Sequence, residues 1–310
     1  MTDDTGSKIP PRSRAIIDAG GEIMGKPPTG REIAFMHNVL CRIGLPRSAV
    51  QGREFRREWG SGGLIVQAGS LWDGKKFAEQ PVPYGSLPRL MLSHIATHAI
   101  RYDTPEIPFG DSLNDAMRLL GVAKSGGASG SYTTFRKQTC ALAACTLTLG
   151  FNVADEAYTF RGQPIDKFAV WQAKEGEQRS LWPSGLVLSK PFFDSLISDP
   201  IPHDWRALEA LSGSALAMDI YLWLCSRLFR LTNKSVRIYW HQLRAQFGQE
   251  YNGKDPAKDF KKQFIPALRK ALAVYPEARV EMVSTGQGGL VLHPSRPAVP
   301  ERPGRELKGA

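Results

Sequence analysis

The sequence predicts an α+β fold, mainly helical, made of two tandem copies of one module. Three observations carry this. A basic tetrapeptide occurs twice: Phe135-Arg136-Lys137-Gln138 returns as Phe260-Lys261-Lys262-Gln263. The order around it matches as well. Each copy lies on a predicted helix and follows a short amphipathic helix ending in an apolar residue and glycine (Leu120-Gly121, Phe247-Gly248). Each then precedes a stretch that reads as two strands and a turn. Charge is the third observation. The 310 residues hold 40 Lys and Arg against 30 Asp and Glu, a net charge of +10. The surplus gathers at the repeats: Arg227 to Arg279 contains twelve bases and four acids, and between Asp115 and Asp155 there are four bases and no acid. Helix, turn, basic helix and hairpin, in that order, is the layout of a winged-helix domain, a helical bundle with a β-hairpin wing. The length suffices for two cores. The expected division is a flexible N-terminal arm (1–30), a first winged-helix domain (31–200), a second (201–293) and a disordered tail (294–310).

The elements follow in order. Residues 1–30 are rich in Pro, Gly and charge and lack periodicity. Arg31 to Ile43 reads as a short helix closed by Gly44 and Pro46, Leu64-Ile65-Val66 as an apolar strand, and Lys75 to Pro83 as connecting loop. Leu87 to Arg101 is an apolar helix with Pro88 in its first turn, where no amide donor is needed. Asp111-Ser112 caps a second helix that buries Leu113, Ala116, Met117 and Leu120. A glycine-rich turn, Lys124 to Gly130, leads to a third helix opening at Ser131, on which Phe135, Thr139 and Leu142 face inward. Leu147 to Phe160 and Phe168 to Trp171 read as wing strands, with Arg161-Gly162-Gln163-Pro164 as the tip. A strand at Leu186 to Leu188 and a helix from near Pro191 lie in the stretch from Trp182 to Asp204, where Pro200 and Pro202 mark the boundary.

The second module opens with an apolar helix, Ser214 to Leu231, followed by a strand (Arg237-Ile238-Tyr239) and a helix (Trp240 to Phe247). A third helix starts at Pro256, buries Phe260, Phe264, Ala267, Ala271 and Val274, and is expected to kink at Pro266. Arg279 to Ser284 and Gly289 to His293 flank Thr285-Gly286-Gln287-Gly288 as a hairpin.

A basic balance favours a polyanionic partner, either nucleic acid or an acidic membrane face. The basic helices lack the large aromatic face that inserts into lipid, and no stretch reaches the roughly 18 apolar residues that span a membrane. No membrane partner is expected, and the polar segment Met1 to Arg14 does not read as a signal peptide. Cys41, Cys140, Cys145 and Cys225 have no C-x-x-C spacing and read as buried free thiols of a reducing cytoplasm.

A helix fits the DNA major groove, where its exposed side chains reach base edges while Lys and Arg find phosphates. The first recognition helix would present Tyr132, Thr133, Arg136, Lys137 and Gln138, with Arg161 at the wing. The second would present Lys258, Lys261, Lys262, Gln263 and Arg269, with Lys254 just ahead of it. Hydroxyls and Gln read bases, whereas Lys mostly positions against phosphate. A merely solvated helix face would carry similar charge; two copies in equivalent places favour double-stranded DNA.

Other motifs point to little chemistry. Ser125 to Ser131 is glycine-rich ahead of a helix, but it lacks the Gly-Lys-Ser/Thr ending and the βαβ setting of a nucleotide loop. His94 and His98 stand at i, i+4 without a following Glu or an evident third ligand. Asp111 with Asp115 fits a helix start. No nucleophile–base motif or His-x-His pair is present, so the expectation is a protein without metal, cofactor or enzymatic activity. The enzyme-class alternative is a primase or nicking enzyme.

Pro83-Tyr84-Gly85-Ser86-Leu87-Pro88-Arg89-Leu90 resembles the corresponding stretch of the plasmid-encoded RepA replication initiators. So do Phe35-Met36-His37 with Leu45-Pro46-Arg47, and the segment from Gly110-Asp111-Ser112-Leu113 to Gly121. The likeness runs from about Ala34 to His293 and is most specific between Pro83 and Gly121. It implies a bacterial cytoplasmic initiator of two winged-helix domains that binds direct repeats (iterons) in a plasmid origin. Such a protein opens the adjacent AT-rich DNA and works with the host initiator and replicative helicase. The resemblance also implies a homodimer that represses its own gene and a monomer that initiates. The main alternative is a winged-helix transcriptional repressor without an initiator role.

Overall fold

The computed structural model describes residues 10–60, 62–127, 130–153, 156–168 and 185–300. The N-terminal part is helical where an arm was expected: α1 spans Pro11–Gly25 and buries Ile16 and Gly20. The helix expected over Arg31 to Ile43 is instead a strand, β1 (Ile33–His37), followed by the short α2 (Asn38–Arg42). Ala34 and Met36 are buried at a spacing of two, the period of a strand. Then come β2 (Glu54–Trp59) and β3 (Gly62–Gln67), the latter containing the expected apolar strand. A small hairpin, β4 (Ser70–Trp72) with β5 (Phe77–Glu79), occupies part of the stretch expected to be loop.

The next run is α3 (Ser86–Tyr102), β6 (Glu106–Pro108), α4 (Leu113–Leu119) and α5 (Ser131–Ala144). Ser112 caps α4 by accepting the Asp115 amide at 3.1 Å, and Phe135, Thr139 and Leu142 are buried on α5 as expected. The strands that follow depart from the expectation. β7 (Thr146–Val153) and β8 (Glu156–Gly162) form a hairpin, but β7 also pairs with β3, giving a four-stranded sheet in the order β2-β3-β7-β8. Leu147 lies opposite Val66 and Leu149 opposite Leu64, all buried, so one apolar face holds the hairpin in that sheet. Residues 161–164 are therefore not a wing tip. They lead into β9 (Ile165–Phe168), which pairs with β10 (Gly185–Leu188), and β10 pairs with β6. Trp171 and Trp182 lie outside the described residues.

α6 (Lys190–Ser198) and β11 (Pro200–Asp204) follow. The expected boundary at Pro200 and Pro202 is thus a strand, antiparallel to β1. Period two puts both missing amides on one side of it, which a strand with a single partner tolerates. After α7 (Trp205–Ala210) comes the second run: α8 (Ala215–Leu228), β12 (Val236–Tyr239), α9 (Trp240–Phe247), α10 (Pro256–Ala273), β13 (Val280–Val283) and β14 (Gly289–Leu292). Pro266 lies inside α10, which continues to Ala273. The turn before β14 places Gly286 and Gly288 at φ 64° and 58°, a left-handed backbone that favours glycine.

The two runs share one plan: helix, strand, helix, helix, hairpin. In each sheet the hairpin's second strand lies in the middle, in the orders β6-β10-β9 and β12-β14-β13. The β7–β8 hairpin is inserted into the first run and belongs to another sheet.

The core gathers around α8, twelve of whose fourteen residues are buried. An ion pair crosses it. Arg89 on α3 meets Asp219 on α8 through Nε–Oδ1 at 2.6 Å and Nη2–Oδ2 at 2.8 Å, with side chains only 3% and 4% exposed. Arg89 also donates to the carbonyls of Gly85 and Leu45 at 2.6 Å each. Nearby, Arg57 donates to Glu250 at 2.5 Å and to the Gly44 carbonyl at 3.0 Å, while Arg47 reaches the Phe247 carbonyl at 2.5 Å.

Gly20 explains how α1 docks. A Cβ there would stand 2.1 Å from the Ala273 carbonyl oxygen, so glycine lets α1 lie directly on the end of α10. Gly20→Ala is expected to cost about 1–3 kcal/mol, the usual penalty for overpacking. Urea unfolding with limited proteolysis of residues 11–25 checks it; an unchanged digestion pattern and midpoint would place the contact elsewhere.

Two buried histidines set an acid limit. Burial pushes His37 and His203 down from 6.5 to about 4. The fold thus holds both neutral while the unfolded chain takes up protons first. Stability is complete above about pH 6.5 and falls as pH drops toward 4, by up to about 1.4 kcal/mol per histidine for each unit. A urea midpoint that stays constant between pH 7 and pH 5 would contradict this.

Candidate nucleic-acid interface

α10 begins at a cap in which Asp255 accepts the Lys258 amide at 3.1 Å. Its buried stripe is Phe260, Phe264, Ala267, Leu268 and Ala271. At about 100° per residue, Lys258, Lys262 and Arg269 fall on the opposite side, and all three are exposed. Lys254 is exposed in the loop ahead of them.

The remaining two residues expected on this helix diverge, because Lys261 and Gln263 lie roughly 200° apart around its axis. The Lys261 ammonium sits 5.2 Å from the Trp240 ring centroid. With His241, Arg244 and Gln287 they line a cleft of about 380 Å³ between α9, α10 and the β13–β14 turn. Gln263 instead lines a second cleft with Arg47, Glu250 and Lys270. One groove therefore cannot take both side chains. His241, Arg244 and Gln287 are additions to the expected set. Their only sequence signal was position, on the amphipathic helix and at the hairpin tip.

On α5, Thr133, Arg136 and Lys137 are exposed and Tyr132 is half-buried. Tyr132 and Thr133 are engaged locally: the Tyr132 hydroxyl bonds the Asn114 side-chain carbonyl, and the Thr133 hydroxyl donates to the Gly127 carbonyl at 3.1 Å. The glycine-rich turn closes on itself, since the amides of Ser125 and Ser131 each donate to the other's hydroxyl, at 2.7 and 2.9 Å. Ala128 and Ser129 lie outside the described residues.

Two expected contacts are corrected. Gln138 is 1% exposed, and its carbonyl accepts the Tyr84 amide at 2.8 Å. It braces the chain entering α3 and does not face a groove. Gln263, at the same place in the tetrapeptide, is exposed at the mouth of the cleft it shares with Arg47 and Glu250. Arg161 is exposed on β8, opposite Thr148, and so belongs to the four-stranded sheet rather than to a wing tip. The segment joining β9 to β10 lies outside the described residues.

The histidine pair packs against aromatic rings, His94 edge-on to Phe109 at 5.8 Å and His98 tilted on Tyr102 at 4.6 Å. Among the described residues no cluster of three potential ligands is placed to hold a metal, and no helix is long and apolar enough to cross a membrane.

No curated protein matches the chain. Among solved structures, the crystal structure of selenomethionine derivatives of domain 2 and domain 3 of RctB is similar, with a TM-score of 0.52 at 14% identity. The match covers 84% of this chain and 98% of that one, and it is a likeness of fold. The family model described as plasmid-encoded RepA protein matches residues 82–242, just over half of the 310. That span opens just before α3, contains the first run entire, and ends within α9. The chain belongs to the plasmid-encoded RepA protein family.

Proposed function

We propose that this protein is a plasmid replication initiator that reads direct repeats in its origin through two winged-helix units divided near residue 200. The observation that carries the reading is the repeated plan, helix–strand–helix–helix–hairpin, with a basic helix at the same place each time. In the second unit, Lys258, Lys262 and Arg269 stand on the open side of that helix. Such a face suits a major groove, while the hairpin turn carrying Gln287 lies beside it to meet the backbone. Arg136 and Lys137 play the corresponding part on α5.

Two readers on one chain raise each other's effective concentration along the duplex. Several copies on neighbouring repeats would deform the DNA between them, and that deformation favours opening of adjacent AT-rich sequence. Opening then admits the host initiator and the replicative helicase. The protein contributes binding and no catalysis of its own. A homodimer that represses its own gene completes the proposal.

Fluorescence anisotropy across salt, on a duplex carrying the plasmid's direct repeats and on a scrambled duplex, tests the core of it. A preference for the repeats that survives physiological salt supports the reading. Equal, salt-sensitive binding to both duplexes would reduce the protein to a general polyanion binder.

A further inference from the structure

Three arginines converge at the ends of α2 and α8. Arg42 ends α2, and Arg227 and Arg230 lie at the end of α8. With Trp59, Trp223 and Ser226 they line a cleft of about 250 Å³ whose lining holds no acid. The cleft shares no lining residue with the Trp240–Lys261 surface.

The positive charge here is poorly matched from within. Asp199 reaches Arg230 at 3.5 Å and is shared with the Asn38 amide. Arg227 Nε is buried and has no hydrogen-bond partner among the described residues. Burial, then the neighbouring Arg230 and Arg227, push the Arg42 guanidinium below its usual range. Helix C-termini attract cations, which accounts for one guanidinium at each helix end. It does not account for three around one cavity. Arg89, by contrast, meets the Asp219 carboxylate through two hydrogen bonds.

We propose that Arg42, Arg227 and Arg230 form an anion site, separate from the DNA-reading surface, that takes a small phosphate-bearing anion. Guanidinium forks match phosphate oxygens in pairs, and a bound phosphate would supply the acceptor that Arg227 Nε lacks. The cavity has room for phosphate, pyrophosphate or the phosphate end of a nucleotide.

The test uses the full chain. Thermal unfolding is followed in phosphate, pyrophosphate, ADP and citrate, each against chloride at matched ionic strength. At about tenfold excess over Kd, phosphate or pyrophosphate is expected to raise Tm by roughly 3 °C. The rise should vanish in Arg42→Gln with Arg227→Gln and persist in Lys261→Ala with Lys262→Ala. A larger rise with ADP than with pyrophosphate identifies a nucleotide as the ligand; equal rises identify phosphate alone. Phenylglyoxal modification of the wild type, mapped by mass spectrometry, covers the case in which the arginine variants do not fold. Pyrophosphate should then shield Arg42, Arg227 and Arg230. Absence of that shielding, an equal rise with citrate, or loss of the rise in the lysine variant would each overturn the proposal.

Discussion

Asp219→Ala is expected to lower the free energy of unfolding by about 3–5 kcal/mol, the usual cost of breaking a buried ion pair. The substitution does more than remove a contact. Arg89 is 3% exposed and cannot reach water, so its charge would remain buried with only the carbonyls of Leu45, Pro46 and Gly85 as partners. The pair also has no room to rearrange. Gly44 lies so close that a Cβ there would stand 2.6 Å from the Asp219 carboxylate. Replacing both partners with apolar residues, Arg89→Met with Asp219→Leu, should recover much of the loss, because it leaves no orphaned charge. Urea unfolding of the two variants measures both effects. A loss below about 1 kcal/mol for Asp219→Ala would show that Arg89 finds solvent, and the account of a sealed ion pair would fall.

Lys261→Ala with Lys262→Ala is expected to weaken DNA binding on the order of tenfold at physiological salt, across all sequences. Each lost phosphate contact should flatten the log–log salt slope by about 0.9. The two lysines need not share the effect equally. Lys262 projects from the open side of α10, whereas Lys261 is held over Trp240. Its removal therefore also uncovers the ring. Gln263→Ala is the internal control, since Gln263 lines the cleft with Arg47 and Lys270 instead. Anisotropy titrations from low to high salt give affinity and slope together. If the double variant keeps the wild-type slope, α10 meets its partner through some other face.

Local signals were legible in the sequence and partner choice was not. The helices from α3 to α5 and from α8 to α10 follow from apolar spacing, caps and glycines within a few residues of each other, and the Thr285–Gly288 turn follows from its glycines. Some strands were visible, among them Leu64 to Val66, Leu186 to Leu188 and the last hairpin, while β1 was read as a helix; and a strand's period says which residues share a face, not which strand lies beside it. Leu147 and Leu149 were read as a wing because nothing local ties them to Leu64 and Val66, some eighty residues earlier in the chain. Gln138 failed for the same reason. Its helical position is equivalent to that of Gln263, and only the distant Tyr84 amide decides that it is buried. Arg89 and Asp219, separated by 130 positions, gave no signal as a pair. The candidate interface was thus found on α5 and α10 from charge and repetition. Its neighbours on α9 and the turn needed the tertiary structure.

The seat of Gly20 on the Ala273 carbonyl has a consequence for how the chain is made. The first helix can meet α7, whose Arg206 reaches Glu22 at 3.1 Å, once α7 has emerged, but the seat of Gly20 is not complete until the last turn of α10 follows. At about 5–20 residues per second, that seat stays open for roughly 10–50 s after α1 is made. β1 waits similarly for β11. During that interval the Gly20 face of α1 is open to chaperones and proteases, and it is among the last surfaces of the described residues to be covered.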